Sequence, residues 1–201
     1  MKLFPLFLKL AGKLVVVVGG GVVAEDKIAG LAAAGARLRV IAPEIRPQIA
    51  EWVRFGKVEW LPKRFSAGDL RGATLAVAAT SAPGVNKAVF KEAERSGVLL
   101  NAVDDNENSH FYYGAVVRRG DLQIAISTNG KSPALAQRIR KELEVAYADE
   151  YGEWLEWLGA VREILRADSL DDELRKELLH ELASREGLKR YHCLRERREV
   201  A

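Results

Sequence analysis

Cysteine is almost missing from this chain. Cys193 is the single one, so no disulfide can form within the chain, and nothing in its cysteine usage argues against a reducing compartment. Long apolar runs are missing too. The stretch from Leu14 to Val18 is far shorter than the roughly 20 residues that cross a bilayer. The segment before it is interrupted by Pro5, Lys9 and Lys13 and has no small-residue cleavage pattern, which argues against a signal peptide. The expectation is a soluble, cytoplasmic protein without a membrane partner. No block of like charge occurs, so no nucleic-acid partner is expected. Histidines number three, and the adjacent His192 and Cys193 have no further ligands nearby, so no metal site is expected. What remains is an ordinary globular balance, 48% hydrophobic and 29% charged over 201 residues, enough for one α/β domain and an appendage. The formal charge of +3 and pI near 9.0 suit a small anionic ligand.

Apolar runs alternate with helical patterns. Lys13–Val18 has no polar alternation and reads as a strand buried on both faces. A helix over Val23–Ala34 follows, ended by Gly35, then a strand over Arg37–Ala42 stopped by Pro43. A helix over Ile45–Phe55, a short strand over Lys57–Trp60 and a buried strand over Leu75–Ala79 come next. A helix over Val85–Ser96 capped by Gly97 then leads to a strand over Val98–Val103. This spacing predicts a Rossmann-type, doubly wound parallel sheet in an α/β fold. After Asp104 the pattern changes. Phe111–Val117 and Leu122–Ser127 read as a hairpin. Ser132 and Pro133 open a helix running to about Asp149. From Tyr151 the chain is helical and charged, with breaks expected at Gly152 and Asp168-Ser169 and fraying over Arg190–Ala201.

The segment VVVVGGGVVAEDK places Gly19, Gly21 and Ala24 as G-x-G-x-x-A between the first strand and the first helix. Gly19 permits the tight turn, Gly21 lets backbone approach a pyrophosphate, and Ala24 keeps the helix against the strand. The free N–H groups of Gly21, Val22 and Val23 at the positive helix end suit phosphates. The acidic residue that usually ends the second strand is absent; Pro43 and Glu44 stand there, Glu44 slightly late, and no cation directly follows. Thr80 and Ser81 end the fourth strand, where side chains either face the ligand crevice or cap the turn. The cofactor these residues predict is NAD rather than NADP, since Glu44 would repel a 2′-phosphate.

Four segments resemble the precorrin-2 dehydrogenase and sirohydrochlorin ferrochelatase family, the module found at the N-terminus of multifunctional siroheme synthases. They are FPLFLKLAGKLVVVVGGGVVAEDK, LAVAATSAPGVNKAV, NAVDDNENSHF and RRGDLQIAISTNGKSPALAQRIRKELE, in the family's order. The last is the most specific. The resemblance implies NAD-linked oxidation of precorrin-2 to sirohydrochlorin. It implies a Rossmann domain over 1–110, a strand-and-helix dimerisation region over 111–149 and a small helical domain over 150–201. It also implies that Asp104 is essential. The chain departs from the family pattern at Asp26, Ser109 and Gly114. Its length leaves no room for a second catalytic domain, so methylation is expected of another protein.

Oxidising a reduced tetrapyrrole removes one hydride and one proton, so the protein must align substrate with cofactor and supply a base. Asp104, at the end of the fifth strand, is the candidate base; the competing reading is a turn cap through Asp105 and Asn106. Asp105 is the lesser candidate. Asn101 and His110 lie near it in sequence and are candidates for substrate binding. An anionic tetrapyrrole needs cations and polar groups, and the candidates are Arg118, Lys131 and the loop Ser127, Thr128, Asn129, Gly130. Arg119, Arg138 and Arg140 are better read as ordinary surface charge. A homodimer through Phe111–Glu144 is expected, because Val116, Leu122, Ile124 and Ile126 give the hairpin an apolar face that two strands alone cannot cover. Two other functions compete: a bifunctional enzyme that also inserts iron, and a non-catalytic nucleotide sensor.

Overall fold

The structure is a computed structural model and describes residues 3–199. Five strands form one parallel sheet: Leu14–Val18 (β1), Arg37–Ile41 (β2), Val58–Leu61 (β3), Leu75–Ala78 (β4) and Leu99–Ala102 (β5), in the order β3-β2-β1-β4-β5. Every residue of β1 and β4 is buried, as an unbroken apolar run at the centre of a parallel sheet must be. The order turns outward on both sides of the β1/β4 pair, which makes that junction the topological switch point.

The two sheet faces bury alternate residues. Val15, Val17, Leu38 and Val40 pack with Ile28, Leu31 and Ile49, which come from Val22–Ala33 (α1) and Pro47–Arg54 (α2). Val16, Val18, Ile41, Ala76 and Ala78 pack with Val89 and Ala93 of Pro83–Ser96 (α3). Each fully buried valine or isoleucine contributes about 1.5–3 kcal/mol by leaving water. The charges inside β2 and β3 are paired across the register: Arg39 Nε lies 2.9 Å from Glu59 Oε2.

Packing divides the chain into two compact units, the first ending at Tyr113 and the second beginning at Gly114. Residues 114–149 and 150–199 fall together in the second. Its hairpin is Ala115–Arg119 (β6) and Leu122–Ile126 (β7), paired antiparallel. The first strand starts four residues later than Phe111. Phe111 is instead held in the first unit, where its carbonyl accepts from Asn101 Nδ2 at 2.9 Å and its ring meets Tyr113 edge-on at 5.5 Å.

The helices of the second unit are Pro133–Ala146 (α4), Glu150–Ala167 (α5), Asp172–Leu182 (α6) and Arg185–Glu199 (α7). Ser132 caps α4 as expected, its Oγ accepting from Leu135 N at 3.2 Å. Gly152 is no break: it sits inside α5. A Cβ there would lie 2.9 Å from the carbonyl carbon of Arg119, so the glycine serves close packing of α5 on the hairpin. The break at Asp168-Ser169 is real, and Asp171 caps the next helix. The end of the chain is helical through Glu199; residues 200–201 lie outside the described residues. Among the described residues no helix is long and apolar enough to cross a membrane.

Candidate dinucleotide-binding site

A crevice of about 1000 Å³ opens at the C-terminal ends of the strands in the first unit. Its floor is the turn from β1 to α1. Gly19 N donates to Ile41 O at 2.9 Å, which carries the β1–β2 ladder one step beyond the strands. Gly19 has φ 123°, and a Cβ on it would collide with the backbone of Ala79. A Cβ on Gly20 would collide with the carbonyl oxygen of Glu44, while Gly20 O accepts from Arg46 N at 3.0 Å. The first two glycines are therefore demanded by protein packing on either side. Gly21 differs. A Cβ there would meet nothing within 4 Å, and Gly21 is the N-cap of α1 with no side-chain cap. The helix start at Val22 and Val23 thus faces open crevice with its N–H groups uncapped, the arrangement that receives phosphates. Ala24 is fully buried beneath it. These observations fit a dinucleotide.

Pro43 and Glu44 form the wall beyond β2, and Thr80 and Ser81 the wall beyond β4. The Thr80 hydroxyl is already engaged: it donates to Asn86 Oδ1 at 2.8 Å and accepts from Ala82 N at 3.2 Å, while Asn86 Nδ2 donates to Thr80 O. Thr80 both lines the crevice and locks its own turn. Sequence reading missed Ile45, Lys63, Arg64, Phe65, Val85 and Val103, which also line it. The signal for Lys63 to Phe65 was present, since they follow the third strand and that end faces the same crevice.

Asp104 closes the far side of the crevice. It is exposed, has φ 58°, and its carboxylate makes no hydrogen bond or ion pair with another described residue. A left-handed backbone on a non-glycine residue costs energy, though aspartate tolerates it better than most. The turn-capping role falls instead on Asp105, whose Oδ1 accepts from Asn108 N at 3.2 Å and Oδ2 from Asn108 Nδ2 at 2.7 Å. Ser109 ties the loop to β5: Ala102 N donates to its Oγ at 2.9 Å, and the same hydroxyl lies 2.8 Å from Asp105 O.

Asn101 and His110 are not in the crevice lining. Asn101 is buried and braces Phe111. His110 Nδ1 accepts from Leu100 N at 3.0 Å, which places the ring proton on Nε2, 2.5 Å from Glu94 Oε1; the ring rests on Phe90 at 5.3 Å. Both ring nitrogens are occupied in holding the 105–110 loop. Asp26, one of the departures from the family pattern, pairs with Lys27 at 3.2 Å, and Lys27 lies 4.6 Å over the Tyr113 ring. Burial, with the Asp26 charge beside it, pushes the Tyr113 phenol up to about 12.

The remaining candidates belong to the second unit. Asn129 (φ 56°) and Gly130 (φ 77°) make a left-handed turn. Ser127 Oγ accepts from Asn129 N, and Thr128 Oγ1 bridges Ser132 N and O. Arg119 clamps the hairpin to α4 through Tyr147 O at 2.8 Å and Glu144 O at 2.9 Å, and Arg138 and Arg140 pair with Glu142 and Glu144. The side chains of Arg118 and Lys131 are exposed and make no such bond with another described residue.

Residues 6–115 match a family described as NAD(P)-binding, and residues 119–146 match the central region of sirohaem biosynthesis proteins. The solved structure of SirC, a precorrin-2 dehydrogenase, superposes with a TM-score of 0.83 at 31% identity, covering 92% of each chain. The chain belongs to the precorrin-2 dehydrogenase and siroheme synthase family. Curated relatives include the siroheme synthases of Chromobacterium violaceum (40% identical over 88% of this chain) and Azotobacter vinelandii (42% over 76%). The chain spans about a third of their length, 37% and 33% respectively. Gly114, another of the departures from the family pattern, is explained by packing within the second unit: a Cβ there would lie 2.7 Å from Ile126 O.

Proposed function

We propose that this protein is an NAD-dependent dehydrogenase that oxidises precorrin-2 to sirohydrochlorin, in the cytoplasm and as a homodimer. The observation that carries the reading is Asp104: a carboxylate without a partner among the described residues, held in a left-handed turn, on the wall of the crevice that the glycine turn opens into. Val22 and Val23 N–H groups would hold the pyrophosphate, and Pro43 and Glu44 would border the adenosine ribose, where the Glu44 carboxylate would serve as acceptor for its hydroxyls. That acceptor favours NAD over NADP. NAD, when bound, supplies the acceptor for the hydride. Asp104 takes the accompanying proton, so that the substrate loses one hydride and one proton in all. Because its carboxylate is not spent on the turn, it is available to a pyrrole N–H or carbon-bound proton. Arg118 and Lys131 offer uncommitted cations to an anionic tetrapyrrole. Homodimerisation through 111–144 is supported by the exposure that the ribbon keeps with α4 and α5 packed on it, since Val116, Leu122, Ile124 and Ile126 remain only half-buried.

An anaerobic assay with precorrin-2 and NAD, following NADH, tests the function. The wild-type chain should turn over, and Asp104→Asn should bind NAD normally while losing most activity. No turnover by wild type overturns the function, and near-normal turnover by the variant overturns the role of Asp104.

A further inference from the structure

Among the described residues three cations line the dinucleotide crevice: Arg46, Lys63 and Arg64. Two are committed elsewhere. Arg46 Nε lies 2.8 Å from Glu25 Oε2. Lys63 Nζ lies 2.6 Å from Asp69 Oδ1 and donates to Ser66 Oγ at 3.0 Å. Burial alone would raise the Asp69 carboxyl, but the Lys63 ammonium and the Ser66 N–H outweigh it and hold it below the ordinary carboxylate range. Arg64 is exposed and makes no hydrogen bond or ion pair with another described residue.

The loop that presents Arg64 is braced. Ser66 N donates to Asp69 Oδ2 at 2.8 Å, and Gly68 N and Leu70 N donate to the buried Glu92 Oε1 at 2.9 and 3.1 Å. Its root is fixed as well. Leu61 ends β3 in register with Ile41 at the end of β2, Ala42 N donates to Leu61 O, and Trp60 Nε1 donates to Ala42 O at 2.9 Å. Arg64 therefore follows the strand end adjoining the Pro43-Glu44 turn, where this fold reads the ribose 2′ position.

We infer that Arg64 is a specificity residue for the adenosine end of the cofactor: its guanidinium pairs with a 2′-phosphate, so that the crevice accepts NADP as a weaker alternative to NAD. The inference rests on the dinucleotide reading of the crevice. Glu44 and Arg64 act in opposition, the carboxylate accepting from the 2′-hydroxyl of NAD and the guanidinium compensating the charge of the 2′-phosphate in NADP. A guanidinium is suited to this, since it presents two parallel donors to phosphate.

The test is calorimetric titration of the full chain with NAD and with NADP, for wild type, Arg64→Ala, Arg64→Lys and Glu44→Gln. Thermal melts establish that each variant is folded. Wild type should bind both nucleotides, NAD more tightly. Arg64→Ala should raise the ratio of the NADP to the NAD dissociation constant about tenfold or more, the loss of one charge-assisted phosphate contact. Arg64→Lys should recover part of that ratio, and Glu44→Gln should lower it. The loss on Arg64→Ala should shrink at high salt. If NAD binds but wild type shows no affinity for NADP, or Arg64→Ala leaves the ratio unchanged, the role of Arg64 is refuted while the cofactor site stands. If neither nucleotide binds, the dinucleotide reading itself falls.

Discussion

Replacing Asp104 by three different residues separates what its backbone costs from what its carboxylate does. With φ at 58°, Asp104 occupies a region that costs a typical L-residue about 1–2 kcal/mol, and aspartate somewhat less. Asp104→Gly removes that strain, but the glycine adds about 0.5–1 kcal/mol of unfolded-state freedom. The two nearly cancel, so its stability should stay within about 0.5 kcal/mol of wild type. Asp104→Ala keeps the strain and loses the short polar side chain that makes the region tolerable, so it should lose about 1 kcal/mol, a fall of about 2–4 °C in Tm for a chain of this size. Asp104→Asn keeps the shape, and asparagine tolerates the left-handed region as aspartate does, so it should melt like wild type. Activity should follow a different order. All three variants lack the carboxylate and should lose about 10²–10⁴-fold in kcat, the usual worth of a positioned base. Thermal melts set beside anaerobic NADH production read both quantities. If Asp104→Gly keeps turnover within about tenfold of wild type, the carboxylate is not the proton acceptor. If it loses more than about 2 kcal/mol, the side chain holds the turn, and the assignment of that role to Asp105 is wrong.

Gly20→Ala should cost about 1–3 kcal/mol or more, because the new methyl meets the Glu44 carbonyl, and it should also weaken NAD binding by displacing the 43–46 turn; urea melts and nucleotide titration check both. The folded Asp69 carboxyl lies below its ordinary value of 3.8, so its ion pair with Lys63 contributes fully above 3.8, and the contribution is lost as pH falls from there through the lower folded value. Lys63→Ala should therefore lose about 0.5–1 kcal/mol at neutral pH and little in acid; an equal loss at both, by urea unfolding, contradicts the sign. Light scattering at micromolar concentration should give the mass of a dimer, and a monomer mass would contradict the proposed homodimer.

The sheet was legible because its strands are buried on both faces and so write themselves as unbroken runs, Leu14–Val18 and Leu75–Ala78 above all. The helix starts at Ser132 and the break at Asp168-Ser169 were legible because capping chemistry is local. What failed was decided by contacts distant in sequence. Phe111–Val117 reads as one strand, yet Asn101 holds the carbonyl of Phe111 and Lys27 lies over the Tyr113 ring, and pairing begins only at Ala115. Gly152 reads as a helix breaker, yet it lies inside α5 because Arg119 and Gly120 come too close for a side chain. A glycine's sequence context does not reveal which atoms approach it from elsewhere in the chain.

The same distinction runs through the site. The place of Gly19, Gly21, Val22 and Val23 at the crevice, with Ala24 buried, was readable because a strand-turn-helix carries its geometry within a few residues, as was the place of Pro43, Glu44, Thr80 and Ser81 at the strand ends. Residues 63–65 carry no motif of their own; their signal was only their place after the third strand, whose pairing with β2 brings them to the crevice. His110 drew notice through nearness in sequence to Asp104, but its ring is turned to Leu100 and Glu94. The adjacent aspartates show the limit most clearly. Both Asp104 and Asp105 suit a turn, and sequence leaves open which one caps it. Asn108 settles the matter by donating to Asp105 through both its backbone and its side chain. That leaves Asp104 at the crevice with its carboxylate uncommitted and its backbone in a left-handed conformation that only the fixed turn around it sustains. The strain and the free carboxylate thus have one origin: Asp105 and Ser109 anchor the loop so that Asp104 need not.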